Sequence, residues 1–478
     1  MNLLKKFFSF SIGSYISLVI GFFSLPIITR IISPEQYGVF SFFLLIVNLG
    51  SLLLLLGLDQ GFVRFFYEEK NKSELLYKCL KFPFLLWLMA SLIIYIFKEK
   101  VSFLIYNEKN YGMLLILIII LFFSILRTFS FLVVRLNKDG FKYSILQILD
   151  QGLNFLFIIL LYKFYNNSYK VLVIAYFLSI SLTLILSIIF ERNIWKKVKG
   201  KNKSIQTLDI LKYSLPFILT FSLSWIFNSS DKIIIKHYSS LNELGLYSMS
   251  FTIIKLFNIV QTGFTLFWVP IAYEKYSQEP ENKIFFNEIF NNISFIMLLL
   301  AIVVLIIKDI IVLFLGKNYY LTSQIIPCLV FMPVMYTISE TTVLGINFSK
   351  KTKYHILISM TVAIFNILGN IILVSRFGAK GAAISTGIAY ILFFSLRTYF
   401  AKKLIDYNFK LKKLYCISIL ILIYSLYLSF YSKIILNIIF GILLLVLHCF
   451  LYLAEIKLIF NYLFQYYFDL KKTEGKKS

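Results

Sequence analysis

The sequence predicts an all-α membrane protein of about fourteen transmembrane helices: two pseudo-symmetric six-helix lobes around a central cavity, plus two extra C-terminal helices. Three observations carry this reading. Apolar residues make up 59% of the chain against 15% charged, and they come in blocks of about twenty, the length that spans a bilayer as helix. The basic residues alternate in density from one inter-block segment to the next. A short motif recurs at a fixed spacing in the two halves. Helices are the default because lipid offers the backbone no hydrogen-bond partner. A β-barrel would show shorter segments alternating with period two, and that pattern is absent.

The first span, 7–29, follows Lys5 and Lys6; it resembles a signal peptide, but no small-residue cleavage site follows. The second, 36–57, opens on Ser33-Pro34-Glu35-Gln36, which reads as a capping box with proline at the first helical position. Spans follow at 79–97, 112–136, 143–164 and 169–192. The longest basic linker, 195–203, then falls near mid-chain. A second set is expected at 211–235, 243–268, 286–308, 320–346, 353–374 and 381–400, and two more spans at 412–431 and 434–455. This divides the chain into 1–205, 206–405 and 406–478, the last holding two helices and a tail.

The 48 Lys and Arg residues orient these spans. Counting charges at a span's end with the segment they adjoin, the N-terminus and the segments after even-numbered spans hold 33, the other segments hold 13, and Arg127 and Lys255 lie deep inside spans. The positive-inside rule therefore puts both termini in the cytoplasm. Because the charge lies between apolar blocks, the net +25 points to membrane lipids and topology and not to nucleic acid. Cys79, Cys328, Cys416 and Cys449 are scattered, so neither a disulfide framework nor a metal site is expected.

A shift of 207 residues aligns Ser33-Pro34-Glu35-Gln36-Tyr37-Gly38 with Ser240-Leu241-Asn242-Glu243-Leu244-Gly245. Both copies carry a serine cap and a Gln or Glu three residues on. The first and seventh spans start on the same side, so the repeat is parallel. Transporters built this way hold substrate between their halves and rock them.

No phosphate loop, nucleophile elbow or metal spacing is present, so no cofactor, catalytic residue or built-in ATP motor is expected. The informative residues are charges at membrane depth, which are costly unless they meet a partner or a wet cavity. Arg127 and Lys255 read either as structural charges or as the walls of a cationic cavity. Asp150 and Glu340 either balance those cations or exchange an ion during a cycle. Arg30 and Asp231 end symmetry-related spans on the outer side and would form an outer gate if they met. Arg64, after Gly57 and Gly61, could meet a lipid phosphate on the inner side.

Leu25-Pro26-Ile27-Ile28-Thr29-Arg30-Ile31-Ile32-Ser33-Pro34-Glu35-Gln36-Tyr37-Gly38 resembles the opening signature of bacterial polysaccharide-repeat-unit flippases, the O-antigen and capsule translocases. Asp231-Lys232-Ile233-Ile234-Ile235 with Glu243-Leu244-Gly245-Leu246-Tyr247-Ser248 resembles the start of that family's second half. Phe377-Gly378-Ala379-Lys380-Gly381-Ala382-Ala383 resembles the beginning of its twelfth helix, where small residues permit close packing. The resemblance implies the multidrug/oligosaccharidyl-lipid/polysaccharide exporter fold, with a V-shaped cavity between lobes. It implies a lipid-linked oligosaccharide substrate on undecaprenyl pyrophosphate, moved from the inner to the outer leaflet of the cytoplasmic membrane by alternating access. A polysaccharide polymerase and a chain-length regulator are the implied partners. Arg127, Lys255, Arg64 and Arg30 would then suit the pyrophosphate. A peptidoglycan-precursor flippase and a multidrug antiporter of the same fold stay open as alternatives.

Overall fold

Thirteen helices among the described residues are long and apolar enough to cross a membrane. The computed structural model describes residues 3–196, 205–279, 282–405, 409–431, 433–458 and 460–461, so most of the basic linker and of the C-terminal tail lies outside the described residues. The helices are α1 (Leu3–Ile31), α2 (Pro34–Leu55), α3 (Lys72–Ile96), α4 (Tyr111–Leu136), α5 (Gly140–Tyr165), α6 (Tyr169–Phe190) and α7 (Thr207–Tyr238). They continue with α8 (Leu241–Gln278), α9 (Lys283–Leu313), α10 (Thr322–Thr342), a 52-residue stretch Lys353–Leu404, α13 (Leu411–Phe430) and α14 (Ile434–Leu451).

A straight 52-residue helix would measure about 78 Å, over twice the hydrocarbon thickness. It does not run straight. Gly378 has φ 57° and ψ −136°, a conformation open to glycine, and the chain reverses there. Ser385 donates to the Asn366 carbonyl at 3.0 Å, and Gly381 lies directly on the Leu373 carbonyl. The stretch is thus a hairpin of α11 (353–377) and α12 (379–404), and the spans among the described residues number fourteen, in line with the sequence prediction. The short helices Leu58–Phe65 and Lys98–Tyr106 occupy segments that the sequence reads as linkers.

The chain forms two compact units: Met1–Ser248 with Leu315–Tyr319, and Met249–Phe314 with Tyr320–Ser478. In the first, α1 packs along α5, and α6 packs on both α4 and α5. Gly13 permits the α1–α5 approach; its N–H donates to Ser144 Oγ at 3.1 Å. Helix α7 packs against α2 and the short helix after it, where Gly57 (φ 70°) and Gly61 leave room for Ser214. Packing therefore groups α7 with α2, whereas the repeat groups it with the spans that follow. The proposed division at 205 and 405 follows the repeat.

The repeat itself is visible at the crossing of α2 and α8. A Cβ on Gly38 would collide with the Leu241 carbonyl oxygen, and one on Gly245 with that of Pro34. A shift of 207 relates Gly38 to Gly245 and Pro34 to Leu241, so the contact is reciprocal, as a pseudo-two-fold axis requires.

The matched caps need correction. Ser240 Oγ accepts from the Glu243 N–H at 3.2 Å, as a cap should. Ser33 makes no side-chain cap. Asn167 Oδ1 instead takes the Ser33 N–H at 2.8 Å, and Gln36 Oε1 turns away to the Tyr169 N–H, 2.9 Å distant, at the start of α6. A long-range partner has displaced the local one.

In the second unit α10 is the central helix, with 94% of its spanning window buried against α9, the α11–α12 hairpin and α13. Helix α14 covers α9 and α13, pinned by His448 Nε2 against the Phe295 carbonyl at 3.1 Å.

Candidate functional site

Charged side chains at membrane depth define the candidate site. Arg127 lies nine residues before the end of α4 at Leu136, and Asp150 ten residues after the start of α5 at Gly140. At 1.5 Å per residue both sit about 14–15 Å from the same end of the unit. They meet: Arg127 Nη2 donates to Asp150 Oδ2 at 2.5 Å. Thr183 of α6 reaches Asp150 Oδ1 at 3.3 Å, and the Phe131 ring lies 4.5 Å from the guanidinium.

This pair is not sealed. The side chains keep 28% and 29% of their surface open. A guanidinium carries five N–H donors, and this one makes a single hydrogen bond among the described residues; its Nε is shielded without an acceptor. The arrangement is a cation held in place by one carboxylate, with donors to spare for a second anion.

Lys255 stands where α8 loses regular form. Residues Lys255–Phe257 make a 3₁₀ turn inside the span, a feature that often marks a hinge. Lys255 is exposed as a residue; its ammonium lies 5.2 Å from the Phe251 ring and forms no ion pair among the described residues. Arg64 pairs with Glu68 one turn on, at an exposed site. Arg30 is exposed at the end of α1. Asp231 is buried and accepts from the Tyr247 hydroxyl; no ion pair joins it to Arg30, so this structure does not bring the two gate residues together.

Glu340 has a partner that sequence reasoning missed. Arg397 Nη1 donates to Glu340 Oε1 at 2.8 Å and to Ser339 Oγ at 2.5 Å, with both charged side chains 9% exposed. Phe393 and Tyr336 flank the guanidinium. Depth was the available signal: Glu340 lies eight residues before Phe348 and Arg397 seven before Leu404, on neighbouring helices. Enclosure and two acceptors make this a structural brace, in contrast to the open pair at Arg127.

Residues 3–272, more than half of the chain, match the polysaccharide biosynthesis protein family. The chain belongs to that family. Among sequence relatives, an uncharacterized membrane protein of Methanocaldococcus jannaschii is 24% identical over 419 residues, covering 82% of this chain and 81% of its own. Lsg locus protein 1 of Haemophilus influenzae is 23% identical over 334 residues, covering 67% and 78%. Among solved structures, the lipid II flippase MurJ in an inward closed conformation superposes with a TM-score of 0.69 at 19% identity, over 94% of this chain and 99% of that one. An inward-facing MATE transporter of the MOP superfamily follows at 0.58 and 14%, over 82% and 94%. This polysaccharide biosynthesis family member is thus a multi-pass membrane protein with the fold seen in flippases and transporters.

Proposed function

We propose that the chain carries an undecaprenyl-pyrophosphate-linked oligosaccharide repeat unit from the inner to the outer leaflet of the cytoplasmic membrane by alternating access, with both termini in the cytoplasm. The supporting observation is Arg127: a cation about 14 Å inside a span, held by Asp150, partly open, with unused donors. Arginine binds phosphate oxygens bidentately, and a pyrophosphate is the most demanding group such a substrate brings into the bilayer. Lys255 acts as the second cation, at the break in α8. Arg64 meets the head group at the inner side, and Arg30 with Asp231 closes the outer side in another state of the cycle. Asp150 positions Arg127 and is the candidate for ion coupling; Glu340 is assigned to the brace. A polysaccharide polymerase and a chain-length regulator would receive the product, which places the protein in O-antigen or capsule assembly.

Deletion of the gene tests this. Undecaprenyl-linked glycan should accumulate on the cytoplasmic face while surface polysaccharide disappears. Normal surface polysaccharide, in a strain with no second transporter of this type, would overturn it. The 0.69 TM-score with MurJ favours a lipid-linked peptidoglycan precursor as the second reading. Under that reading deletion would instead stop cell-wall growth and trap the precursor inside, with surface polysaccharide intact.

A further inference from the structure

Within the first unit, a groove of about 610 Å³ opens between α3, α4 and the start of α7. Its two ends differ in chemistry. Tyr77, Lys78, Lys81 and Trp195 line its polar part; Leu126 lies level with Lys81, and Phe84 and Phe122 lie deeper. Lys81 lies nine residues into α3 from Lys72, and Leu126 ten residues before the end of α4. Both therefore sit about 14–15 Å from the unit's basic end, with the groove running on toward the Phe84–Trp87–Phe122 ring cluster.

The polar end is built but incompletely used. Lys78 is committed: it pairs with Glu74 at 3.0 Å and donates to the Ile205 carbonyl at 2.8 Å, fixing the chain where it turns into α7. Lys81 is exposed and has no ion pair among the described residues. The Trp195 indole N–H is shielded and has no acceptor among the described residues, an unusual state for a buried tryptophan donor. Thr207 opens α7, and the residue before it, Gln206, makes no side-chain cap, so the positive end of that helix also borders the groove. Three sources of positive potential thus meet above an apolar trough.

We propose that this groove binds an anionic glycerophospholipid of the adjoining leaflet. The phosphodiester sits between Lys81 and the Trp195 N–H, and an acyl chain lies along Phe84, Phe122 and Leu126. Basic pockets between membrane helices at the cytoplasmic side recognise lipid head groups in this way, and Tyr77 and Trp195 are at home at the head-group level. Glu74 lines the same end, but Lys78 neutralises it, so Lys81 remains as net positive charge. The proposal stands apart from the transport reading, because none of these residues belongs to the Arg127 pair or the α8 break.

The test is native mass spectrometry of the purified full chain, titrated with phosphatidylglycerol and with phosphatidylcholine of the same acyl composition. The wild type should retain phosphatidylglycerol about tenfold better than phosphatidylcholine. Lys81→Glu should remove that preference. Leu126→Trp, which fills the apolar trough, should reduce retention of phosphatidylglycerol, and thermal melts would confirm that both variants fold. Equal retention of the two lipids by the wild type, or unchanged phosphatidylglycerol retention in both variants, overturns the proposal. Retention of a polyprenyl pyrophosphate in place of phosphatidylglycerol, abolished by Lys81→Glu, would assign the groove to the transported lipid and overturn it equally.

Discussion

Arg127 and Arg397 each face a carboxylate on a neighbouring helix, yet their surroundings assign them different work. The Arg397–Glu340 pair is enclosed, and removing one partner of an enclosed pair strands the other charge. Arg397→Ala should destabilise the folded protein by about 3 kcal/mol. In detergent this would read as a lowered melting temperature, and the double substitution Arg397→Leu with Glu340→Met, which removes both charges together, should recover most of the loss. Arg127→Ala should leave the melt nearly unchanged and reduce surface polysaccharide about tenfold, the effect of losing one or two charge-assisted hydrogen bonds to the substrate. Arg127→Lys keeps charge but not the bidentate fork, and should fall between. In the segment between α3 and α4, hydrogen bonds from the Asn110 amide and the Tyr169 hydroxyl hold the Glu108 carboxyl below the usual carboxylate range. A lowered value stabilises the fold above the ordinary carboxylate pKa of about 4.5, and this contribution is lost as pH falls from there through the lowered folded-state value. Glu108→Gln should flatten the acid limb of the melting temperature measured against pH.

Helices were legible wherever apolar length decided the matter, and less so where distant partners did. The α11–α12 turn shows the first case: Phe377-Gly378-Ala379 breaks a long apolar run, and only glycine adopts the observed φ and ψ at little cost. Gly378→Ala should destabilise the hairpin by about 1–3 kcal/mol, seen as faster protease cleavage near residue 378. The cap at Ser33 shows the second case. Nothing within the motif reveals that Asn167, in the turn before α6, takes the Ser33 N–H. Arg397 was hidden for a related reason: an arginine near the basic end of a span looks like a topology charge, and only the packing of α10 on α12 exposes its partner. The short helices Leu58–Phe65 and Lys98–Tyr106 were too short and too polar to register as apolar blocks.

At the level of the whole chain, spacing and charge between them specified an even number of crossings and a like-oriented repeat. The count needed only hydrophobic length, which lipid enforces without regard to sequence detail. Reporter domains fused after residue 405 and at the C-terminus should both report cytoplasm, and one fused after residue 431 the opposite side; a mismatch at any of these would remove the proposed topology. The candidate site was legible as a set of residue types. Which cation is paired, and how tightly, depended on contacts between helices far apart in sequence.

The mutual seating of Gly38 and Gly245 binds the two copies of the motif to each other. Neither half can gain a methyl group at this point without pushing on its counterpart, so Gly38→Ala and Gly245→Ala should each impair insertion and assembly, measured as loss of monodisperse protein. Here each glycine faces a backbone carbonyl of the other motif, so a methyl added to both would meet two obstacles in place of one.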